Sequence, residues 1–210
     1  VPELLADETE DIFDLSGTAI GITQNNRLIL GNKIKIGDII LGLESSGLHS
    51  NGYTLARKVL SKYSLDEIPK FITRSVGEEL LIPTRIYVQP IMELIKDRKI
   101  TIHGLAHITG GSFTKLKRLN NKVRYNLFDL SPPHGIFKQI QKDGIIDLKE
   151  MYRTFNMGIG LCIILPKAYV DKTISIIEKY NMKVRQIGQV DSKGNGNVIG
   201  KVENKNYIFS

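Results

Sequence analysis

The 210-residue sequence contains a single cysteine, Cys162, and no tryptophan. One cysteine excludes an intramolecular disulfide framework, and its place inside an apolar run reads as a buried structural thiol. Long hydrophobic runs are also missing. The longest, Gly158 to Leu165, is too short to span a bilayer. The first residues lack a basic stretch followed by an apolar one, so no signal peptide is expected, and the expected compartment is the cytosol. The sequence has no Walker-type phosphate loop, no nucleophile elbow and no paired acidic metal ligands within a glycine-rich segment. No internal repeat or low-complexity tract interrupts it.

Hydrophobic residues make up 41% of the chain and charged residues 24%, a balance typical of globular domains and unlike that of disordered chains. Lys and Arg outnumber Asp and Glu by 29 to 22, giving a net charge of +7. Such a surface suits anionic partners: nucleic acid, lipid or phosphorylated metabolites. The only dense cationic cluster, Lys115, Lys117 and Arg118, has no interleaved aromatics. It reads as a solvated face, and neither nucleic acid nor membrane is expected as a partner.

Periodicity predicts strands alternating with amphipathic helices. Asp14 to Thr23 and Arg27 to Leu30 read as a hairpin around Gln24-Asn25-Asn26. Ile39 to Leu43 is a buried central strand, followed by a helix over 51–61. Ile86 to Val88 reads as a short strand, Gln89 to Asp97 as a helix, and Ile100 to Ile108 and Val123 to Leu127 as strands. Pro132-Pro133 opens a helix that Gly144 closes. Over 147–155, Leu148, Met151, Tyr152 and Phe155 repeat at helical spacing behind an Asp147 cap. Gly158 to Leu165 is a second buried strand, and Val170 to Tyr180 a further helix. Val184 to Val190 and Val198 to Val202 read as a hairpin about Gly194-Asn195-Gly196-Asn197, with a last strand at 207–209. The expected fold is α/β (α+β), a mixed sheet layered with helices. Residues 1–35 read as the tail of a preceding domain and 36–210 as the domain proper. The acidic cluster Asp7, Glu8, Glu10 and Asp11 reads as surface linker.

Three polar, glycine-containing segments adjoin predicted buried strands. In the first, Ser45, Ser46, Gly47, His49, Ser50, Asn51 and Gly52 join a strand to a helix N-terminus, where free N–H groups and the helix dipole favour an anion. The ordinary alternative is a capped turn, with Ser50 or Asn51 as N-cap and His49 merely exposed. In the second, His103 and His107 share a strand face before Thr109, Gly110, Gly111 and Ser112. There the glycine pair suits a backbone nest, and the alternative is a tight turn with satisfied histidines. The third is Asn156, a helix C-cap on the structural reading and a cleft-lining amide on the functional one. A zinc site is not expected, since no further ligand cluster is visible. If the flanking strands are neighbours, the three loops converge at one sheet edge.

Together these segments resemble the C-terminal half of the AIR synthetase family, the phosphoribosylformylglycinamidine cyclo-ligases. The resemblance is carried by Gly37-Asp38 with the run to Leu43, by Ser45 to Tyr53 with Arg57-Lys58, by Gly104 to Gly111, by Glu150 to Gly160 and by Ile187-Gly188. It implies ATP-dependent ring closure of formylglycinamidine ribonucleotide in purine biosynthesis. ATP and Mg would be held mainly by an N-terminal domain, the partners would be that half in cis or in trans, and the assembly would be a homodimer. This chain would supply substrate and phosphate contacts and be inactive alone. His49 would carry the catalytic contact, with Ser45, Ser46, Gly47, Ser50, Asn51 and Gly52 on one wall. His107, Thr109, Gly110, Gly111 and Asn156 would form the other. Ser112 departs from the family's third glycine and is expected to leave less room for a ligand. Alternatives are a thiamine-monophosphate kinase or selenophosphate synthetase type of the same architecture, and a non-catalytic anion-binding or assembly module.

Overall fold

A computed structural model describes residues 16–209. Seven strands, β1 (Ile39–Glu44), β2 (Gly104–His107), β3 (Val123–Leu127), β4 (Ile159–Leu165), β5 (Val184–Lys193), β6 (Val198–Val202) and β7 (Lys205–Ile208), form one mixed sheet in the order β2-β4-β1-β5-β3-β6-β7. All neighbours are antiparallel except β3 and β6. The helices are α1 (Tyr53–Leu60), α2 (Val76–Leu80), α3 (Val88–Lys96), α4 (Leu116–Leu119), α5 (Gly135–Gly144), α6 (Leu148–Thr154) and α7 (Val170–Glu178).

β4, and β1 as far as Leu43, are apolar because both sheet faces are covered, so no side of the strand has to be polar. Alternate residues point to opposite faces. Ile40, Cys162 and Ile164 enter the larger core, with Ala56 of α1, Ile140 of α5 and Met151 of α6. Ile39, Leu41, Leu43, Ile163 and Leu165 enter the smaller core, with Leu94 of α3 and Ile177 of α7. Cys162 sits between Gly42 and Ala106 in the register and is fully buried. Loss of water pushes its thiol pKa up, so it remains a protonated packing group.

Several elements differ from the sequence expectation. Asp14 and Leu15 lie outside the described residues, as does the acidic cluster at 7–11. Residues 16–30 form no strand, and a short 3-10 turn occupies Asn25–Arg27. Ile20 and Ile22 are fully exposed, so the expected hairpin has no core against which to pack. Ile86 and Tyr87 lead into α3 and form no strand. Ladder pairing of β2 begins only at Gly104. β5 and β6 do not form a hairpin: β3 lies between them, antiparallel to β5 and parallel to β6, so the 194–197 turn carries the chain across β3. The hairpin at this end is β6–β7, closed by Glu203 and Asn204, both at positive φ as such a tight turn requires.

Candidate active site

β1 and β2 run in the same direction on either side of the antiparallel β4. The C-terminal ends of β1 and β2 therefore meet the N-terminal end of β4 at one edge of the sheet. The three polar segments leave from that edge. The rings of His49 and His107 lie 6.1 Å apart, and an added Cβ at Gly110 would sit 2.9 Å from the Asn51 Oδ1.

Asn156 organises the first segment from beneath. Its Nδ2 donates to the carbonyls of Gly47 (2.8 Å) and Leu48 (3.2 Å), while its Oδ1 accepts from the Ser45 hydroxyl and the Gly158 N–H, both at 2.9 Å. Two donors and two acceptor sites exhaust the amide. The side chain is 3% exposed, so Asn156 shapes the loop and has no free group to offer a ligand. It is not a C-cap either. Phe155 caps α6, and the left-handed residues are Met157 and Gly158.

The serines also hold the loop. Ser46 Oγ donates to the Pro83 carbonyl at 2.7 Å, and the hydroxyls of Ser50 and Thr84 lie 3.0 Å apart. Neither Ser50 nor Asn51 caps α1. The N-cap is Gly52, at φ 78°, with no side-chain hydrogen bond to the first turn. Gly52 is required there because a Cβ would strike the Phe155 ring and a left-handed φ disfavours other residues. The helix thus begins with its first amides uncapped, which is the condition for anion binding at an N-terminus.

His49 is 3% exposed and itself left-handed, at φ 61°. Burial, then the nearby His107 ring and the Arg85 guanidinium, lower its pKa to about 4. The imidazole is therefore neutral near pH 7. Its Nε2 accepts from the Ser46 N–H at 3.1 Å, so the proton of the neutral ring resides on Nδ1. That Nδ1 is buried and has no partner. His107 keeps solvent contact at the end of β2. Partial loss of water around its ring, then the Lys115 ammonium, lower its pKa as well.

A third wall was not marked in the sequence. Tyr87 packs beside both histidines, 6.3 Å from His49 and 6.0 Å from His107, and donates to the Glu44 carbonyl at 2.7 Å. Burial raises its phenol pKa, so it stays protonated. Arg85 pairs with Glu44 (Nη1 to Oε1, 3.2 Å), while its Nε is buried without a partner. Among the described residues, three buried side-chain polar atoms lack a partner, and two of them, His49 Nδ1 and Arg85 Nε, belong to this site. Unmade buried bonds cost about 1–3 kcal/mol each, and their concentration in one place is a mark of function. The local alternation Arg85-Ile86-Tyr87-Val88 mimics a strand, which conceals this wall in the sequence.

On the second segment, Thr109 is half-buried, Gly110 exposed and Gly111 left-handed at φ 82°. Ser112 does not narrow the site. Its side chain is fully buried and donates inward to the Phe155 carbonyl at 2.8 Å. Its φ of 45° explains why glycine suits the position. No group of three His, Cys, Asp or Glu residues among the described residues is placed to hold a metal ion, and no helix among them is long and apolar enough to cross a membrane.

The sheet, its paired cores and this glycine-rich edge define a domain class, and residues 35–201 match the model of AIR synthase related proteins, C-terminal domain. The chain belongs to that family. It is 50% identical over 194 residues to a phosphoribosylformylglycinamidine cyclo-ligase of Methanocaldococcus jannaschii, covering 90% of this chain and 55% of the relative. With the enzyme of that name from Methanothermobacter thermautotrophicus, identity is 47% over 186 residues, covering 87% and 53%. The chain thus spans about half the length of the curated relatives it matches. Among solved structures, the hydrogenase maturation protein HypE matches with a TM-score of 0.53 at 16% identity, covering 86% of this chain and 54% of that one. T. maritima PurL complexed with ATP matches with a TM-score of 0.51 at 10% identity, covering 88% and 26%. These two likenesses concern the fold alone.

Proposed function

We propose that this chain is the substrate- and phosphate-binding half of a phosphoribosylformylglycinamidine cyclo-ligase, the ATP-dependent enzyme that closes formylglycinamidine ribonucleotide to aminoimidazole ribonucleotide. The observation that carries the reading is the uncapped N-terminus of α1 set beside neutral His49. It is supported by the curated relatives named for this reaction. When bound, ATP supplies the phosphoryl group that converts the formyl oxygen into a leaving group. The described residues fit an oxyanion, through backbone amides of the loop and first turn of α1 and the Nδ1–H of His49. On this reading the metal and the nucleotide are held mainly by the remaining half of the protein, in cis or in trans. Residues 1–35 would be the tail of that half and 36–210 the domain described here, within a cytosolic homodimer.

In this scheme, the Gly47–Gly52 backbone, with Ser50 and Asn51 at its rim, receives the substrate phosphate or the transferring phosphoryl group. His49 donates to one of its oxygens. His107, Thr109, Gly110 and Gly111 form the facing wall. Ser45, Ser46 and Asn156 are positioning residues that fix the loop. Titrating the ¹⁵N-labelled chain with formylglycinamidine ribonucleotide is expected to shift amide signals from Gly47 to Tyr53 and at Gly110 and Gly111. Shifts confined to Lys115–Arg118 would place the anion on the surface cluster and refute the assignment.

A further inference from the structure

At the opposite end of β2 from His107, the segment 27–33 lies against α3 and the approach to β2 and encloses a cavity of about 540 Å³. That volume lies within the range of small-molecule sites. Arg27, Lys33, Lys96 and Arg98 line it, no Asp or Glu does, and none of the four cations has an ion-pair partner among the described residues. The nearest acid in sequence, Asp97, is already engaged by Lys172 and by the Lys99 N–H. Four exposed cations lining one concavity, without a counter-charge among the described residues, create a field that draws in anions.

An independent feature lies in the cavity wall. His103 lines the cavity and is only 8% exposed. Its Nδ1 lies 2.7 Å from the Oδ2 of Asp38, which is 1% exposed and also accepts the Lys35 N–H at 2.9 Å. Facing a carboxylate, Nδ1 is the donor, and the carboxylate fixes the ring's orientation. Nε2 is the ring edge left for the cavity, and it has no partner among the described residues. Leu30, Ile95 and Ile102 add apolar wall.

We propose that this cavity is a binding site for a nucleotide-class anion. The cations hold the phosphates, the apolar wall takes the base, and His103 Nε2 meets a hydroxyl or amino group of the ligand. The inference stands apart from the cyclo-ligase reading, which uses the other end of the strand. The test is titration of the ¹⁵N-labelled chain at low ionic strength with ADP and, separately, with inorganic pyrophosphate. ADP is expected to give saturable shifts over 27–33 and 95–103. The double variant Lys96→Ala/Arg98→Ala, at two exposed positions, is expected to bind ADP at least tenfold more weakly with an unchanged melting temperature. His103→Gln is expected to weaken ADP several-fold and pyrophosphate little. Pyrophosphate binding as tight as ADP would overturn the nucleotide assignment, since the apolar wall would then contribute nothing. No saturable shift over these segments at millimolar ADP, or undiminished binding by the double variant, would overturn the site itself. Shifts over Gly47–Gly52 report on the cyclo-ligase reading and leave this outcome separate.

Discussion

His49 carries an electrostatic signature whose consequence is measurable. Its folded-state pKa is about 4 against an ordinary 6.5. Between those values the unfolded chain binds a proton that the folded chain does not, so stability falls as pH drops from 6.5 to 4 and levels off below. The full shift corresponds to a loss of about 3 kcal/mol at most. Denaturant melts at pH 7 and pH 4.5 should show this slope, and His49→Gln should flatten it; an unchanged slope in the variant would assign it to other groups. Arg85→Gln removes one of the charges that depress His49, so the His49 titration midpoint, read by NMR, should rise. Asn156 makes a different prediction. Asn156→Asp replaces an amide that donates to two buried carbonyls with a carboxylate that repels them, and breaking such a buried network costs on the order of 3 kcal/mol. The melting temperature should drop by several degrees and the Gly47–Gly52 amides should lose protection from exchange. Much of this site was legible in the sequence, because Ser45 to Gly52 and His107 to Gly111 are runs of glycine and polar donors next to apolar strands. The role of Asn156 as an internal brace was not, since its partners Ser45, Gly47 and Leu48 lie more than 100 residues away. Arg85 and Tyr87 were concealed by the strand-like alternation of residues 85–88.

At the scale of elements, local pattern and long-range pairing part company. β1 and β4 were readable because burial on both faces leaves a continuous apolar run. α6 was readable because Asp147 accepts from the Glu150 N–H as its cap and its apolar residues follow the helical period. α2 carries an equally local signal, the Ser75–Glu78 capping box, although its five residues are too few to show a helical period. Ser75→Ala should cost about 1 kcal/mol, visible as a modest shift in the denaturation midpoint without effect on anion binding. By contrast, the turn at 194–197 looks like a hairpin turn from its residues alone. Only the insertion of β3 between β5 and β6 reveals a crossover, and no local residue encodes that. The close approach of β4 to the site is also a pairing effect. A Cβ at Gly160 would lie 2.6 Å from the His49 ring and would collide with the Tyr87 hydroxyl. Gly160→Ala should therefore displace Tyr87 and lower both stability and phosphate affinity, whereas a variant that binds and melts like the parent would show that the His49–Tyr87 wall yields freely.

For the whole molecule, the two cores close both faces of one sheet. About half the length of the matched relatives lies beyond this chain, and among the described residues no group of three His, Cys, Asp or Glu is placed to hold a metal ion. Phosphoryl transfer depends on the nucleotide and its metal being positioned against the acceptor oxygen, and little rate survives without that positioning. The account therefore divides the reaction between two halves, with substrate held here and the phosphoryl donor held by the other. The direct measurement is a coupled assay for ADP and for aminoimidazole ribonucleotide, run on the purified 210-residue chain with ATP, Mg²⁺ and formylglycinamidine ribonucleotide, with and without the N-terminal half of a close relative. The account predicts no ADP and no aminoimidazole product from the chain alone, and formation of both in equal amounts once the other half is added. Sustained turnover by the chain alone would contradict it.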